Sequence, residues 1–145
     1  MMELTSPLFT HNDGFPERST CDGRDVNPPL DIAGVPRQAE SLALVLRDPD
    51  AAEGIFIHWI MWNIDPKTNR IEIDSVPAGA VLGKTTNGRI RYTGPCPPSG
   101  THRYIFTLYA LDTKIYLNEG DTAEQLNAAM KNHILEQTDL LAKYR

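Results

Sequence analysis

The most constraining feature of the sequence is the run "IFIHWIMWNI", residues 55–64, which is apolar on both faces apart from His58 and Asn63. Such a run, rich in Ile and Trp, is typical of a central strand that is buried on both sides; a buried helix is the alternative. A chain of 145 residues is long enough to bury one sizeable core of this kind. We therefore expect a single domain over residues 1–145.

Further strands are predicted around this run. In residues 41–48, Leu42, Leu44 and Leu46 alternate on one side, and Asp48 falls on the same face at the end of the strand. Residues 70–76 also alternate, and "YIFTLYAL" supplies a third strong strand at 104–111. Between 77 and 100 lie five glycines and four prolines, which predict mostly loop. Strands separated by loops rather than helices favour an antiparallel sandwich over a parallel α/β sheet.

The hydrophobic period changes near the end of the sequence. Apolar and aromatic positions there recur at helical spacing on one face: Leu126, Ala129, Met130, His133 and Ile134. Asp121 or Thr122 can cap this helix, with Glu124 or Gln125 completing a capping box. The pattern predicts a helix over about residues 122–136, at the C-terminus of an otherwise mostly β chain.

Composition excludes several classes of function. The formal net charge is −5, and Lys and Arg are scattered singly, so neither a nucleic-acid face nor a polybasic membrane patch is expected. No apolar run approaches the ~18 residues of a membrane span, and the start of the sequence has no signal-peptide pattern. Two cysteines suggest a cytosolic chain rather than a disulfide scaffold. We expect a cytoplasmic protein without integral membrane association.

Four polar residues stand where the strand pattern would not place them by default. Asp48 and Asp50 flank a proline directly after a strand. By period-two alternation, His58 shares a strand face with Phe56, Ile60 and Trp62, and His102 shares one with Tyr104, Phe106 and Leu108. An isolated histidine on such a face is usually a satisfied core residue, and Asp-Pro-Asp is usually a turn. The alternative is that the three segments meet in one functional site.

The loop "GPCPPSGTHRY", residues 94–104, favours that alternative. Proline fixes φ and glycine lets the backbone approach closely, so this loop holds its shape and can expose main-chain donors. His102 then makes the spot suited to a small anion, because an imidazolium offers two donors and a carboxylate behind it favours the charged form. Asp48 and Asp50 could orient the imidazoles or accept from a ligand amine. The set would suit a ligand with both phosphate and ammonium groups.

The same residues invite other chemistry. Two histidines and two aspartates could bind zinc, but no close pair such as H-x-x-x-H occurs, and we expect neither a metal nor a cofactor. A hydrolase could use Ser99 as nucleophile with His102 as base, although no G-x-S-x-G elbow surrounds Ser99. Cys96 is a further candidate nucleophile, without any local sign of an activated thiolate. The hydrolase is the weaker alternative.

Several motifs together resemble the phosphatidylethanolamine-binding protein family, in its compact bacterial and archaeal, Raf-kinase-inhibitor-like branch. They are "TCDGRDVNPPL", "DPDA", "IHWIMWNI", "GPCPPSGTHRYIFTLYALD" and "AAMKNHILEQTDLLAKYR". The resemblance extends from about residue 6 to the end of the sequence. It implies a Greek-key antiparallel β-sandwich with a C-terminal helix and a small pocket for phosphate, acetate or phosphoethanolamine-like head groups. The positions that match the pocket are Asp48, Asp50, His58, Gly94, Pro97, Pro98, His102 and Tyr104.

The resemblance therefore implies a non-catalytic module that binds small anions or phospho-head groups. The alternative that it leaves open is a protein-interaction regulator, such as a kinase or protease inhibitor with an unidentified partner, for which the pocket is a control site. A homodimer is also compatible with it. The resemblance places Cys21 and Cys96 in loops near the pocket, where they could form a disulfide. We expect two free thiols instead, because an ordinary cytosol is reducing.

Overall fold

Strands dominate the computed structural model of the chain, which describes residues 1–145. The elements in chain order are β1 (Glu3–Thr5), β2 (Asp13–Gly14), β3 (Leu30–Ala33), β4 (Ser41–Asp48), β5 (Phe56–Ile64), β6 (Arg70–Ile71), β7 (Val81–Leu82), β8 (His102–Leu111), α1 (Ala123–Met130) and β9 (Ile134–Tyr144). The three long strands predicted from the sequence are β4, β5 and β8, and the region 77–100 is mostly loop, as predicted.

The strands form two sheets that share one core. A three-stranded sheet has the order β1-β3-β6, and a six-stranded sheet has the order β2-β9-β8-β4-β5-β7. All pairs are antiparallel except β2 with β9, which is parallel. A cluster of 21 buried apolar residues joins Leu4, Leu30 and Ile71 of the small sheet to Leu44 and Phe106 of the large one. The predicted mostly β, sandwich-type fold is confirmed, with one parallel pair added.

The predicted helix is shorter than expected and is not the last element. It begins with the predicted capping box, in which the Thr122 hydroxyl accepts from the backbone N–H of Gln125 and the Gln125 side chain accepts from that of Thr122. It ends at Met130 instead of near 136, because Asn132 adopts a left-handed conformation (φ 69°) that reverses the chain. Residues 134–144 then pair along β8, where strand pairing and burial of alternate residues outweigh helix propensity.

The outer face of the large sheet, which points away from the small sheet, carries a second core. Eight buried residues form it, including Ala43, Ile60 and Trp62 from the strands and Leu126 and Met130 from α1. The helix thus covers one part of this face. At eight residues it is too short to cross a membrane, and the chain has no other α-helix.

Candidate functional site

The first pair of predicted site residues meets where β4 ends and β8 begins. The two strands are antiparallel neighbours, so Asp48 at the end of one faces His102 at the start of the other. The Asp48 Oδ2 lies 2.6 Å from His102 Nδ1, and only 5% and 14% of the two side chains are exposed. The other carboxylate oxygen accepts from the backbone N–H of Asp50 at 2.7 Å. Because an ionised carboxylate only accepts, Nδ1 of His102 carries the proton and Nε2 is the ring nitrogen left for a ligand.

His58 joins this pair through an irregularity in β5. Leu46 pairs with Trp59 and Arg47 pairs with Ile57, so His58 is the extra residue of a β-bulge. Its buried ring lies against Phe56, with ring centroids 4.5 Å apart, and its Nδ1 donates to the Thr93 carbonyl at 2.8 Å. Burial lowers the pKa of His58 below its usual value. The ring is therefore mostly neutral at neutral pH, with Nε2 as a hydrogen-bond acceptor.

Tyr104 connects the two imidazoles. Its buried ring lies 5.4 Å from that of His58 and 6.3 Å from that of His102, measured between centroids. Burial raises the pKa of the Tyr104 hydroxyl, which remains a neutral phenol. We call Asp48, His58, His102 and Tyr104 the imidazole cluster. It combines one oriented carboxylate with two imidazoles whose Nε2 atoms change from acceptors to donors on protonation.

The rigid loop packs against the cluster as a wall. Thr93 exchanges two hydrogen bonds with His58, since its N–H also donates to the His58 carbonyl at 2.8 Å. The next residue, Gly94, donates to Asp25 Oδ1 at 2.7 Å. A Cβ atom on Gly94 would lie 2.4 Å from the Ser19 carbonyl oxygen, so glycine is required for this close approach.

The two prolines of the loop lie at its outer side. Pro97 is buried and Pro98 is exposed, and both border a surface depression of about 280 Å³ together with Ser99 and Arg145. The structure thus places Gly94 against the strand of His58, whereas Pro97 and Pro98 shape the rim of the loop.

Cys21 and Cys96 form a disulfide, with Cα atoms 5.4 Å apart. The expectation of two free thiols is therefore wrong: the fold brings the two loops within the ~7 Å that such a bond needs. The Cys21 N–H also donates to the Pro95 carbonyl at 3.1 Å. The bond fastens the N-terminal segment to the wall of the cluster, and it leaves Cys96 without a thiolate for nucleophilic attack.

Asp50 is adjacent to the cluster, but its carboxylate is committed elsewhere. It accepts from the backbone N–H and Nε of Arg103, both at 2.9 Å, and from Nη2 at 2.8 Å. These hydrogen bonds from Arg103 lower the pKa of Asp50 to about 2. Asp50 therefore contributes its backbone N–H to Asp48, while its side chain holds Arg103.

Two residues with a part in the cluster were not singled out from the sequence. The Phe56 ring lies tilted against that of His58, and its place two residues earlier in the strand was the available signal. Asp25 anchors Gly94 from a left-handed conformation (φ 58°) in the N-terminal loop, a contact across 69 residues for which the sequence carries no local signal. Nowhere in the chain do three or more His, Cys, Asp or Glu side chains converge so that they could hold a metal ion.

Known proteins resemble this chain in sequence and in fold over nearly the whole of its length. The sequence profile described as "Phosphatidylethanolamine-binding protein" matches residues 5–145. A UPF0098 protein of Methanothermobacter thermautotrophicus is 42% identical over 149 residues, which cover 99% of each chain. One of Chlamydia pneumoniae is 40% identical over 148 residues, covering 99% of this chain and 98% of the relative.

Two solved structures show the same fold. A phosphatidylethanolamine-binding protein homolog from Chlamydia trachomatis is 40% identical, with a TM-score of 0.96 over 99% of this chain and 97% of that one. YbcL of Escherichia coli has a TM-score of 0.92 at 24% identity, covering 99% and 98%, and therefore attests the fold alone. With the family profile spanning the sandwich and its imidazole cluster, the chain belongs to the phosphatidylethanolamine-binding protein family.

Proposed function

We propose that the imidazole cluster binds small anions or phospho-head groups, such as phosphate or phosphoethanolamine, without catalysis. The observation that carries this proposal is the Asp48–His102 pair, in which a buried carboxylate orients a half-buried imidazole. Asp48 fixes the orientation of His102 and supplies the negative charge that an imidazolium needs in a buried place. A bound oxyanion would receive a charge-assisted hydrogen bond from Nε2 of that imidazolium.

The mechanism couples binding to proton uptake. In the neutral form of His58 or His102, Nδ1 donates to the protein and Nε2 is an acceptor. An acceptor repels an oxyanion. An added proton converts that atom to a donor, so the anion binds together with the proton. The carboxylates are already engaged, Asp48 by two donors and Asp50 by Arg103. We therefore expect the ammonium group of phosphoethanolamine to add little, and its affinity to stay close to that of phosphate.

Sulfate is the sharpest probe, because its own charge stays constant across the range in which histidine titrates. Calorimetry at pH 6 and pH 8 should show tighter sulfate binding at pH 6, by at most about tenfold per pH unit for one coupled proton. His102→Gln should weaken binding at pH 6 about tenfold or more, the loss expected for one charge-assisted hydrogen bond, and should flatten the pH dependence.

His133→Gln is the matched control. His133 also pairs with an aspartate, Asp112, at 2.7 Å, but this pair is exposed and lies outside the cluster. The control should bind sulfate like the unmodified protein. Equal affinity in His102→Gln and the unmodified protein would remove His102 from the site, and the absence of binding to millimolar sulfate at pH 6 would end the proposal.

Two features support the non-catalytic part of the proposal. Cys96 is bonded to Cys21, and the Ser99 hydroxyl makes no hydrogen bond to His102, so neither residue is set up as a nucleophile. Turnover of p-nitrophenyl phosphate or acetate that disappears in His102→Gln would favour the hydrolase instead.

The regulator role, a homodimer and the cytoplasmic location stay predictions. The disulfide bears on the last of these. Such bonds persist in oxidising compartments or in the cytosol of hyperthermophiles, whereas an ordinary cytosol reduces them. The expectation of a cytoplasmic location rested partly on two free cysteines, and the disulfide removes that support.

A further inference from the structure

A groove of about 650 Å³ lies on the outer face of the large sheet. It exists because α1 is only eight residues long and covers one part of this face, after which the chain returns to the sheet as β9. The groove runs from the start of α1 across β4, β5 and β8. We call it the outer groove; the lining residues that matter below are Val45, Arg47, Ile57, Lys84, Tyr109 and Asn127.

Two cations in the outer groove have no carboxylate paired with them. The half-buried Arg47 donates from Nη1 to the Thr107 hydroxyl at 2.6 Å, and that hydroxyl donates to Asp139 at 2.7 Å, so an aspartate is reached only through a hydroxyl. Neither Arg47 nor Lys84 forms an ion pair within the protein. By contrast, Arg70 and Arg103 each form an ion pair with an aspartate. A guanidinium in a concave site whose nearest aspartate is reached only through a hydroxyl keeps N–H donors free for an anion from outside.

The lining of the groove is mixed: Val45, Ile57 and Tyr109 supply apolar and aromatic surface among threonines and other polar side chains. Val45 is buried, Ile57 is half-buried, and the half-buried Tyr109 presents a ring whose hydroxyl bonds no protein group. Burial raises the pKa of Tyr109, so its hydroxyl is neutral. The amide of Asn127 also has no protein partner. One carboxylate, Glu124, lines the groove near the start of α1 and would repel a second negative charge placed close to it.

We propose that the outer groove binds a small aromatic monocarboxylate. Its carboxylate pairs with the planar fork of Arg47, and its ring lies against Val45, Ile57 and Tyr109. Lys84, which lines the same groove, adds a second positive charge. The guanidinium geometry matches a carboxylate through two parallel hydrogen bonds. The groove volume falls within the ~300–1,000 Å³ usual for small-molecule sites. This site shares no residue with the imidazole cluster, so it does not depend on the function proposed above.

Titration of the ¹⁵N-labelled protein with 2-naphthoate tests the proposal. We expect amide shifts at Val45, Ile57 and Tyr109, and an affinity that Arg47→Gln lowers about tenfold or more. The neutral analogue 2-naphthamide has the same shape without the charge and should bind at least about tenfold more weakly. Arg70→Gln, which removes one cation from the small sheet, is the matched control and should leave the affinity unchanged.

A cluster variant separates this site from the imidazole cluster. His102→Gln should leave the naphthoate affinity unchanged, because His102 does not line the groove. If Arg47→Gln does not fold, Lys84→Gln at an exposed position should still weaken binding, by about threefold, as a more hydrated charge would. Shifts centred on His58 and Tyr104, equal affinity for naphthoate and naphthamide, or no shifts at millimolar naphthoate would each overturn the proposal.

Discussion

The imidazole cluster and the outer groove lie on different sides of the same sheet and use their polar groups in opposite ways. In the cluster, both oxygens of Asp48 and Nδ1 of each imidazole already have protein partners. In the groove, the Lys84 ammonium group and the Tyr109 hydroxyl have no protein partner. A pre-organised site binds with little loss of side-chain freedom and discriminates strictly, whereas free side chains must be ordered by each ligand. We therefore expect a selective cluster and a permissive groove.

The difference follows from how the chain is connected around each site. Long-range links fasten the wall of the cluster: the Cys21–Cys96 bond, the Gly94–Asp25 hydrogen bond and the bond from the Tyr92 hydroxyl to the Ser19 carbonyl at 2.6 Å. The groove is simply the part of the sheet that α1 leaves uncovered. Substitutions that remove these long-range links should therefore weaken ligand binding in the cluster and leave binding in the groove unchanged.

The largest effect is expected from removing the disulfide in the double variant Cys21→Ser, Cys96→Ser. The bond closes a loop between residues 75 positions apart. Constraint of the unfolded chain by a loop of this size corresponds to about 4 kcal/mol of folding free energy. Urea unfolding should show a loss of that order. Sulfate affinity should also fall, because the loop beside His58 loses one anchor, while 2-naphthoate affinity should not change.

Reductant supplies the control for this experiment. Dithiothreitol should destabilise the unmodified protein and have no effect on the double variant. An equal loss of affinity at both sites would mean that the bond stabilises the whole sandwich, and the contrast between a fastened cluster and an independent groove would be wrong.

A smaller effect is expected from Asp48→Asn. The Asp48 carboxylate accepts from two donors, the His102 Nδ1–H and the Asp50 N–H. The oxygen of the Asn side chain can replace one carboxylate oxygen, but its NH₂ group then faces the other donor. One buried polar group then lacks its partner, at a cost of about 1–3 kcal/mol in the free energy of unfolding. The His102 ring can respond by moving its proton to Nε2, which would flatten the pH dependence of sulfate binding.

The matched variant is Asp112→Asn, which alters the exposed pair with His133 and should change stability far less. If Asp48→Asn leaves both the urea midpoint and the sulfate affinity unchanged, the buried pair does not organise the cluster. The naphthoate affinity of both variants should match that of the unmodified protein.

The sequence predicted the parts of the fold whose signal is local. β4 has the predicted bounds, and β5 and β8 differ from theirs by one or two residues, because their apolar patterns are continuous. β9 was missed, since helical spacing from Leu126 continues through Ile134 before the alternation of Leu140 and Ala142 begins. That alternation becomes a strand only through pairing with β8, a partner that periodicity within one segment cannot identify.

The site was predictable as a set of residues but not as a geometry. Simple alternation placed His58 on one face with Ile60 and Trp62, yet the bulge puts those two in the outer core and leaves His58 with Phe56 and Tyr104. No residue near His58 in the sequence indicates that a β-bulge occurs there. The disulfide was mispredicted for a related reason. Free thiols were expected because an ordinary cytosol is reducing, whereas the approach of Cys21 to Cys96 depends on how the two loops pack in the folded protein.

The smallest effect is expected from Asp50→Asn, although the resemblance assigns Asp50 to the pocket as firmly as Asp48. The Asp50 carboxylate is held by the exposed Arg103, and the contact with Asp48 comes from the Asp50 backbone, which the substitution preserves. Sulfate affinity should therefore change by less than about twofold, since exposed ion pairs contribute little. The lowered pKa of Asp50, about 2, means that its pairing stabilises the fold fully above the usual aspartate pKa and is lost as the pH falls toward 2. The variant should consequently match the unmodified protein in urea midpoint near pH 2, and any deficit should appear only at higher pH. A tenfold loss of sulfate affinity would instead show that the Asp50 side chain leaves Arg103 to serve the cluster, and the division between the two neighbouring aspartates would fail.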